Sequence, residues 1–536
     1  MRDGGIVSAT VVKKKGSAPR QPALLIFDIY TDPASEITRS KDAANHGYVG
    51  VVADTRGKRL SPDPIMPYEQ EANDAHDVVE WIAKQSWSDG QVGMRGGSYQ
   101  GFTAWAAAKK MPAALKTIAV SAAAIPGDGL PMTNGIFLNA NYGWAFYVTD
   151  NKLLDEKTYN DPARWRRLMM NWFSSGEPYR NIDKIDGTPN PWLQRWLQHP
   201  SYDGYWQAMV PYKKEFAQIN IPTLTITGYY DDAQQSALNY SREHSKYSPK
   251  AEDYVVIGPY DHLATHWSKK PEILRGYAID PVAQFSTPDL VYEWMDYVMK
   301  GGPKPALLKD RVNFEVMGGN EWEHVPSLAQ MAQKQVPYYF NAALAGDRHT
   351  LTPRKGRGSV KETVNLADRE TWNNAHNYAD PIIETKLIDP ITEMVYASEP
   401  FAKAQVISGT FSGELDVTIN KRDADLGVTV FEQMPDGRMF HLAYWLGRAS
   451  YAGHPEKRTL LTPGKKTRLP FATNIVSRVM TPGSRILVFL DVNKNPFAQV
   501  NYGTGKDVSD ESIKDAGAPL TIEWHGDSFI KVPFGR

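Results

Sequence analysis

The stretch WSDGQVGMRGGSYQGFTAWAAA, residues 87–108, sets a short apolar strand directly against an alanine-rich helix over 98–110, with Ser98 at the corner. Gly96 and Gly97 precede the serine and Gly101 follows it. A strand that feeds a helix through so tight a turn forces its corner residue into a strained backbone conformation and needs small neighbours. It also lifts the serine oxygen above the sheet, at the amino end of the helix, where backbone N–H groups can stabilise a developing oxyanion. The generic pattern is Gly-x-Ser-x-Gly, and here the last glycine comes one place late. The same residues also suit a serine that merely caps the helix, and on this stretch alone both readings stand.

The flanking sequence supplies the layers such a corner needs. PALLIFDIY (22–30), GYVGVVAD (47–54), QVGMRG and LKTIAVSAA (115–123) are apolar strand runs, separated by helical segments at 33–46, 68–85 and 98–110. Apolar strands alternating with amphipathic helices predict a parallel sheet covered on both faces. The alternation stops over 126–214, a stretch with six tryptophans and no clear strand, and resumes with IPTLTITGYYDD (221–232), a helix to about 247 and DYVVIGPYDH (253–262). The interruption reads as a helical insertion over the carboxyl ends of the strands. From about 335 the chain turns β-rich, with turn signals such as MPDGR, TPGKK and TPGSR, which predicts an all-β sandwich. The expected organisation is therefore a discontinuous α/β domain over 1–125 and 215–300, an insertion over 126–214, a connection over 301–334 and a β-sandwich over 335–536.

A serine hydroxyl needs an oriented base to act as a nucleophile near neutral pH. In α/β-hydrolases the chain order is serine, acid, histidine. Asp231 and Asp232 end a strand after the insertion, and His262 follows the next one. One of the two aspartates is expected to cap the helix over 233–247, and Asp232 is assigned that part. His262 also fits an ordinary loop histidine. His262 and His266 stand four apart, but no glutamate follows the first and no third ligand is evident, so no metal site is expected.

Bulk composition narrows the classes. The 536 residues carry a formal net charge of −1, against a general polyanion binder, so no nucleic-acid partner is expected. There are no cysteines, which excludes disulfides, thiolate metal sites and a cysteine nucleophile. No apolar run approaches the length of a membrane span. The opening MRDGGIVSATVVKKKG lacks a signal peptide's apolar stretch, so the compartment stays open between cytoplasm and a site reached by a cleaved leader. A homo-oligomer is left open.

DTRGKRLS (54–61), WIAKQSWSDGQVGMRGGSYQG (81–101), GYYD (228–231) and GPYDH (258–262) together resemble the CocE/NonD hydrolases. These are α/β-hydrolases related to X-prolyl dipeptidyl-peptidases of family S15, cocaine esterase and α-amino-acid ester hydrolases. That family writes its corner Gly-x-Ser-Tyr-x-Gly, which accounts for the late glycine. DADLGVTVFEQMPDGR and TPGSRILVFLDVNKNPF resemble its C-terminal jelly-roll domain. The resemblance implies an α/β-hydrolase fold with a helical cap and a jelly roll, a triad of Ser98, Asp231 and His262, and an oxyanion hole made by the Tyr99 N–H and the Tyr30 hydroxyl. The family's usual Pro-Tyr is Ile29-Tyr30 here. Its opening strand usually precedes the segment at which this chain starts. The α-amino-acid ester hydrolase branch places acidic residues two and three after the triad aspartate to hold a substrate ammonium, and here those places are Ala233 and Gln234.

The implied activity is hydrolysis of a small-molecule ester or amide through an acyl-enzyme, with no cofactor. An X-Pro dipeptidyl-peptidase is the alternative within the class, and an inactive carbohydrate- or protein-binding scaffold the alternative outside it. Trp144, Phe146, Tyr147, Trp165, Trp172 and Phe173 of the insertion are the expected apolar pocket lining, with part of that set serving as the insertion's own core.

Overall fold

A computed structural model describes residues 1–375, 381–384 and 394–536. Nine strands build the central sheet: β1 (Ala9–Val12), β2 (Gln21–Asp28), β3 (Val49–Asp54), β4 (Ser88–Gly97), β5 (Leu115–Ser121), β6 (Thr223–Tyr230), β7 (Asp253–Asp261), β8 (Val312–Val316) and β9 (Glu321–Val325). Their spatial order is β1-β3-β2-β4-β5-β6-β7-β8-β9. Strands β2 to β8 run parallel, and β1 and β9 close the edges antiparallel. The order reverses beside β4, so the carboxyl ends of the strands open a crevice there.

The sequence explains the layers. Every residue of β6 is buried, as both faces of a parallel strand under helices must be. Helices α1 (Pro33–Asn45), α2 (Glu71–Ala83) and α3 (Tyr99–Lys109) connect the first strands, and α6 (Gln234–Tyr247) and α7 (Thr287–Lys300) follow the insertion. α1 starts where the Asp32 side chain accepts from the Ala34 and Ser35 N–H groups. α2 buries Ala72, Ala75, Val78, Val79 and Ile82, the helical stripe the sequence shows.

One expectation is corrected, and one strand is added to those the sequence shows. Residues 301–334 are not a connection: they supply β8 and β9 and so belong to the central sheet. The charged and aromatic residues of EWEHV (321–325) hide the second of these strands, because an edge strand is only half buried and lacks a continuous apolar run. Ala9–Val12, unassigned by pattern, pairs along β3 for the same reason.

The insertion holds α4 (Ala140–Thr149) and α5 (Pro162–Ser175), with shorter helices and two-residue strand pairs around them. The DTRGKRLS segment anchors it. The buried Lys58 ammonium donates to the carbonyls of Val148, Asn151 and Leu153, at 2.9, 2.8 and 3.2 Å. Burial pulls this lysine down to about 8.

The C-terminal domain is a jelly roll of largely antiparallel strands, twelve in one hydrogen-bonded network among the described residues. Leu520–His525 alternates buried and half-buried residues, the pattern of a strand with one wet face. The domain grips the α/β unit and the insertion by backbone. Met317, just past β8, donates to Ser477 O at 3.1 Å and accepts from Val479 N at 2.9 Å. Asn139 N at the start of α4 donates to Phe497 O at 2.9 Å. One continuous apolar core runs through all three units.

Candidate functional site

Ser98 sits between β4 and α3 with φ 58° and ψ −118°. Positive φ is costly for a residue with a Cβ, and it persists here because the turn is held on both sides. Ser98 N donates to Ser121 O at 2.9 Å, and Ser98 O accepts from Phe102 N at 3.0 Å. Its side chain makes no capping bond to the helix, so the capping alternative fails. A Cβ on Gly97 would lie 2.4 Å from His266 Nδ1, and one on Gly101 would lie 2.8 Å from the Ala123 Cβ. The late glycine is therefore where α3 touches the chain leaving β5.

Tyr30 reaches the corner from the end of β2. Its hydroxyl is close enough to the Ser98 side chain to feel it and accepts from Trp144 Nε1 of α4 at 3.2 Å. Burial holds the phenol well above its ordinary value, so it is an uncharged donor. Asp28 fixes the tyrosine: it accepts Tyr30 N at 2.8 Å, Arg39 Nη1 at 2.7 Å and Gln100 Nε2 at 2.8 Å. Gln100 in turn accepts Gly97 N at 3.3 Å. This Asp28–Gln100 link between the tyrosine and the serine corner left no mark in the sequence pattern, since the two residues lie far apart along the chain and neither belongs to a spaced catalytic motif. Tyr99 opens α3, so its N–H belongs to the first turn, whose donors have no partner within the helix. Its side chain turns away: it donates to Glu71 and accepts from Tyr68 N at 2.9 Å. Burial pushes Glu71 up to about 7.

At the ends of β6 and β7, His262 Nδ1 donates to Asp231 Oδ1 at 2.9 Å. The Asp231 side chain is fully buried, and its other oxygen accepts from Thr227 Oγ1 at 2.7 Å. Asp232 does not cap the next helix, as the sequence suggested. The N-cap of α6 is Ala233, whose N–H goes to Asp231 Oδ1 at 3.0 Å. The Asp232 carboxylate instead lies 2.7 Å from His262 Nδ1. Burial pulls the His262 pKa down, but the two carboxylates outweigh it and hold the imidazole well above its ordinary value.

His266 joins the two halves of the site. Its ring covers Gly97, its Nδ1 is 2.8 Å from Ser121 Oγ, and it stands perpendicular to the His262 ring with centroids 5.6 Å apart. Burial, then the neighbouring His262, pushes it down to about 3, so it is a neutral wedge. Among the described residues, the group of metal-ligand type side chains with atoms within 4.8 Å of one another is Asp231, Asp232 and His262. The His262–Asp231 hydrogen bond and the ion pair of His262 with Asp232 account for that closeness, and His266 faces Ser121.

The expected pocket lining divides. Trp144 and Tyr147 stand beside Tyr30, the latter with ring centroids 6.0 Å apart. Trp165 stacks on Phe146 and lines a cavity of about 570 Å³ with Tyr142, Gly143 and Tyr159. Trp172 and Phe173 are 3% and 1% exposed: Trp172 packs against Tyr179 in the insertion's own core, and Phe173 lies between Trp172 and Arg369 of the β domain. The β domain adds Tyr444, which sequence reasoning missed; its hydroxyl feels the charges of Asp232 and Asp231.

The serine corner, the buried aspartate and the histidine at successive strand ends are the arrangement to set beside known proteins. Residues 3–264 match the X-Pro dipeptidyl-peptidase (S15 family) description, and residues 308–519 match the X-Pro dipeptidyl-peptidase C-terminal non-catalytic domain. The chain belongs to this family of serine hydrolases. It is 24% identical to the cocaine esterase of Rhodococcus sp. (strain MB1 Bresler), over 96% of this chain and 93% of that one. A solved α-amino acid ester hydrolase superposes with a TM-score of 0.81 at 19% identity, covering 100% of this chain and 95% of that one. An aminopeptidase from a marine sediment Thaumarchaeota archaeon does so with 0.81 at 18%, again over 100% and 95%. These likenesses establish the α/β-hydrolase fold with its jelly-roll partner. Among the described residues, no helix is long and apolar enough to cross a membrane.

Proposed function

We propose that the protein hydrolyses small-molecule esters, or amides of the same acyl type, with Ser98 as nucleophile, His262 as base and Asp231 as the buried acid. The observation that carries this reading is the strained Ser98 corner, free of any capping role, facing an uncharged Tyr30 donor and backed by a histidine whose Nδ1 is committed to a buried carboxylate.

With Nδ1 holding its proton, Nε2 is the basic nitrogen. Nε2 takes the Ser98 hydroxyl proton as Oγ attacks the substrate carbonyl. The tetrahedral oxyanion is held by the Tyr99 N–H and the Tyr30 hydroxyl. The intermediate collapses, the bond to the leaving alcohol or amine breaks, and the imidazolium returns its proton to that group. Water, deprotonated by the same nitrogen, then attacks the acyl-enzyme and releases the acid and Ser98.

The residues two and three places after Asp231 favour small acyl substrates over peptides. Ala233 is fully buried, and Gln234 is spent on the domain junction, bonded to Gly228 O, Tyr229 O and both backbone groups of Ile475. Neither can hold a substrate ammonium. A fluorophosphonate probe should label the protein at Ser98 and fail on Ser98→Ala. An unlabelled wild type would return the chain to the scaffold reading. Hydrolysis of p-nitrophenyl butyrate should exceed that of Ala-Pro-p-nitroanilide, and the reverse order would favour the dipeptidyl-peptidase.

A further inference from the structure

We propose that Asp232 is a second acid partner of His262, a positioning residue that shares the imidazolium charge with Asp231 and can stand in for it. The inference rests on the Ser98–His262 reading above.

Two adjacent carboxylates converge on one ring nitrogen: Nδ1 is 2.9 Å from Asp231 Oδ1 and 2.7 Å from Asp232 Oδ1. They are not equivalent. The N–H points at Asp231, whose Oδ1 also accepts Ala233 N and whose Oδ2 accepts Thr227 Oγ1. Asp232 approaches from the side, and its Oδ1 is a buried oxygen without a hydrogen-bond donor of its own. An oxygen placed so is costly unless a cation faces it, and the cation at hand is the imidazolium that forms when Ser98 loses its proton.

The charge states support the division of labour. Burial pushes Asp231 above its ordinary carboxyl value, and His262 and Thr227 pull back only part of that shift. Burial acts on Asp232 too, but the pull of His262 outweighs it and leaves Asp232 below its ordinary value. Geometry makes Asp231, which takes the N–H, the carboxylate that orients the ring, and Asp232 a second negative charge beside the same nitrogen. The other groups facing His262 do not replace either. His266 is neutral and perpendicular to the ring. Lys270, pushed down to about 7 by burial, acts on His266. Tyr159 from the insertion and Tyr444 from the β domain, which also feels Arg275, are uncharged phenols that feel Asp232.

The experiment is a double-mutant cycle on the full chain with p-nitrophenyl butyrate, reading kcat/KM against pH. Losing the sole acid of a serine triad costs about 10⁴-fold. Asp231→Asn should instead cost about 10- to 100-fold, because Asp232 still holds Nδ1–H in place. Asp232→Asn should cost about tenfold or less at its optimum and move the acidic limb down by about one pH unit, since one of two charges raising His262 is gone. Asp232→Glu should restore the limb. The double variant should fall by about 10⁴-fold, more than the product of the singles. If Asp231→Asn alone matches the double variant and Asp232→Asn leaves the limb where it was, the proposal is overturned. Thermal melts of each variant separate misfolding from chemistry, and a limb that moves without a change in melting temperature is not a structural effect. Ser98→Ala and His262→Asn run alongside: activity surviving in those would sink the triad reading itself, whatever the aspartates do.

Discussion

Tyr30→Phe removes a single oxygen from the site. The ring's neighbours, Tyr99 at 6.1 Å and Tyr147 at 6.0 Å between centroids, are untouched, and the partner left without an acceptor, Trp144 Nε1, is on a half-buried side chain that water can reach. The stability cost should therefore stay below about 1 kcal/mol. The catalytic cost is larger, because a preorganised donor to the oxyanion contributes about 3–4 kcal/mol in the transition state. At 1.36 kcal/mol per decade that is roughly two to three orders of magnitude in rate. Since the oxyanion exists only in the transition state, kcat and kcat/KM should fall together while KM stays put. Burial keeps the phenol protonated well beyond the ordinary range, so the loss should be the same across the neutral and mildly alkaline pH range. The assay is steady-state hydrolysis of p-nitrophenyl butyrate paired with thermal melting of both proteins. A loss of less than about fivefold at unchanged melting temperature would remove Tyr30 from the oxyanion hole and refute the reasoning.

Gln234→Ala should destabilise the protein by about 1–3 kcal/mol, because it removes the partner of both backbone groups of Ile475 at the domain junction while Gly228 O and Tyr229 O keep Asp231 N and Asn474 Nδ2, and should lower kcat by loosening the loop that carries Asp231; wild-type melting and turnover together would show that the junction is not coupled to the site. Trp172→Ala should cost about 3–5 kcal/mol as a cavity in the insertion yet leave the ratio of butyrate to acetate ester hydrolysis unchanged, whereas Trp144→Ala should shift that ratio with a smaller melting change. Glu315 tests the pH linkage. Burial, reinforced by Asp280, pushes its carboxyl up to about 10, so the folded state holds a proton that the unfolded chain releases near 4.5. Wild-type stability is then lost progressively as pH rises between those two values, and Glu315→Gln should melt higher relative to wild type at about pH 9 than at about pH 6; parallel melting curves across pH would show that the carboxyl is not protonated in the fold.

The legible part of this protein was the part that local pattern dictates. The strand–Gly–Ser–helix corner, the apolar runs of β2 to β7 and the order serine, aspartate, histidine were all in the sequence, because a strained turn demands small residues at fixed offsets and a doubly covered strand demands continuous apolar side chains. The edge strands β1 and β9 were not, because a half-exposed strand tolerates almost any alternation. Nor was the fate of the six aromatics in the insertion: buried core and pocket wall call for the same residue types, and only the packing sends Trp172 inward and Trp144 to Tyr30.

The finer assignments around the histidine came from three dimensions alone. Asp231 and Asp232 are neighbours of the same kind, and either could have capped α6; which carboxylate points where depends on the direction in which the chain leaves β6. His266 lies over Gly97 although the two are far apart along the chain, because β4 and the segment after β7 end on the same rim of the sheet. Tyr444 comes from another domain, tied through Asn474 to Tyr229 O at the end of β6. Sequence by itself determined which chemical groups this chain can bring to a site and which local turns present them. Tertiary structure decided which of those groups meet, since hydrogen bonds and charges act over a few ångströms of space and take no account of distance along the chain.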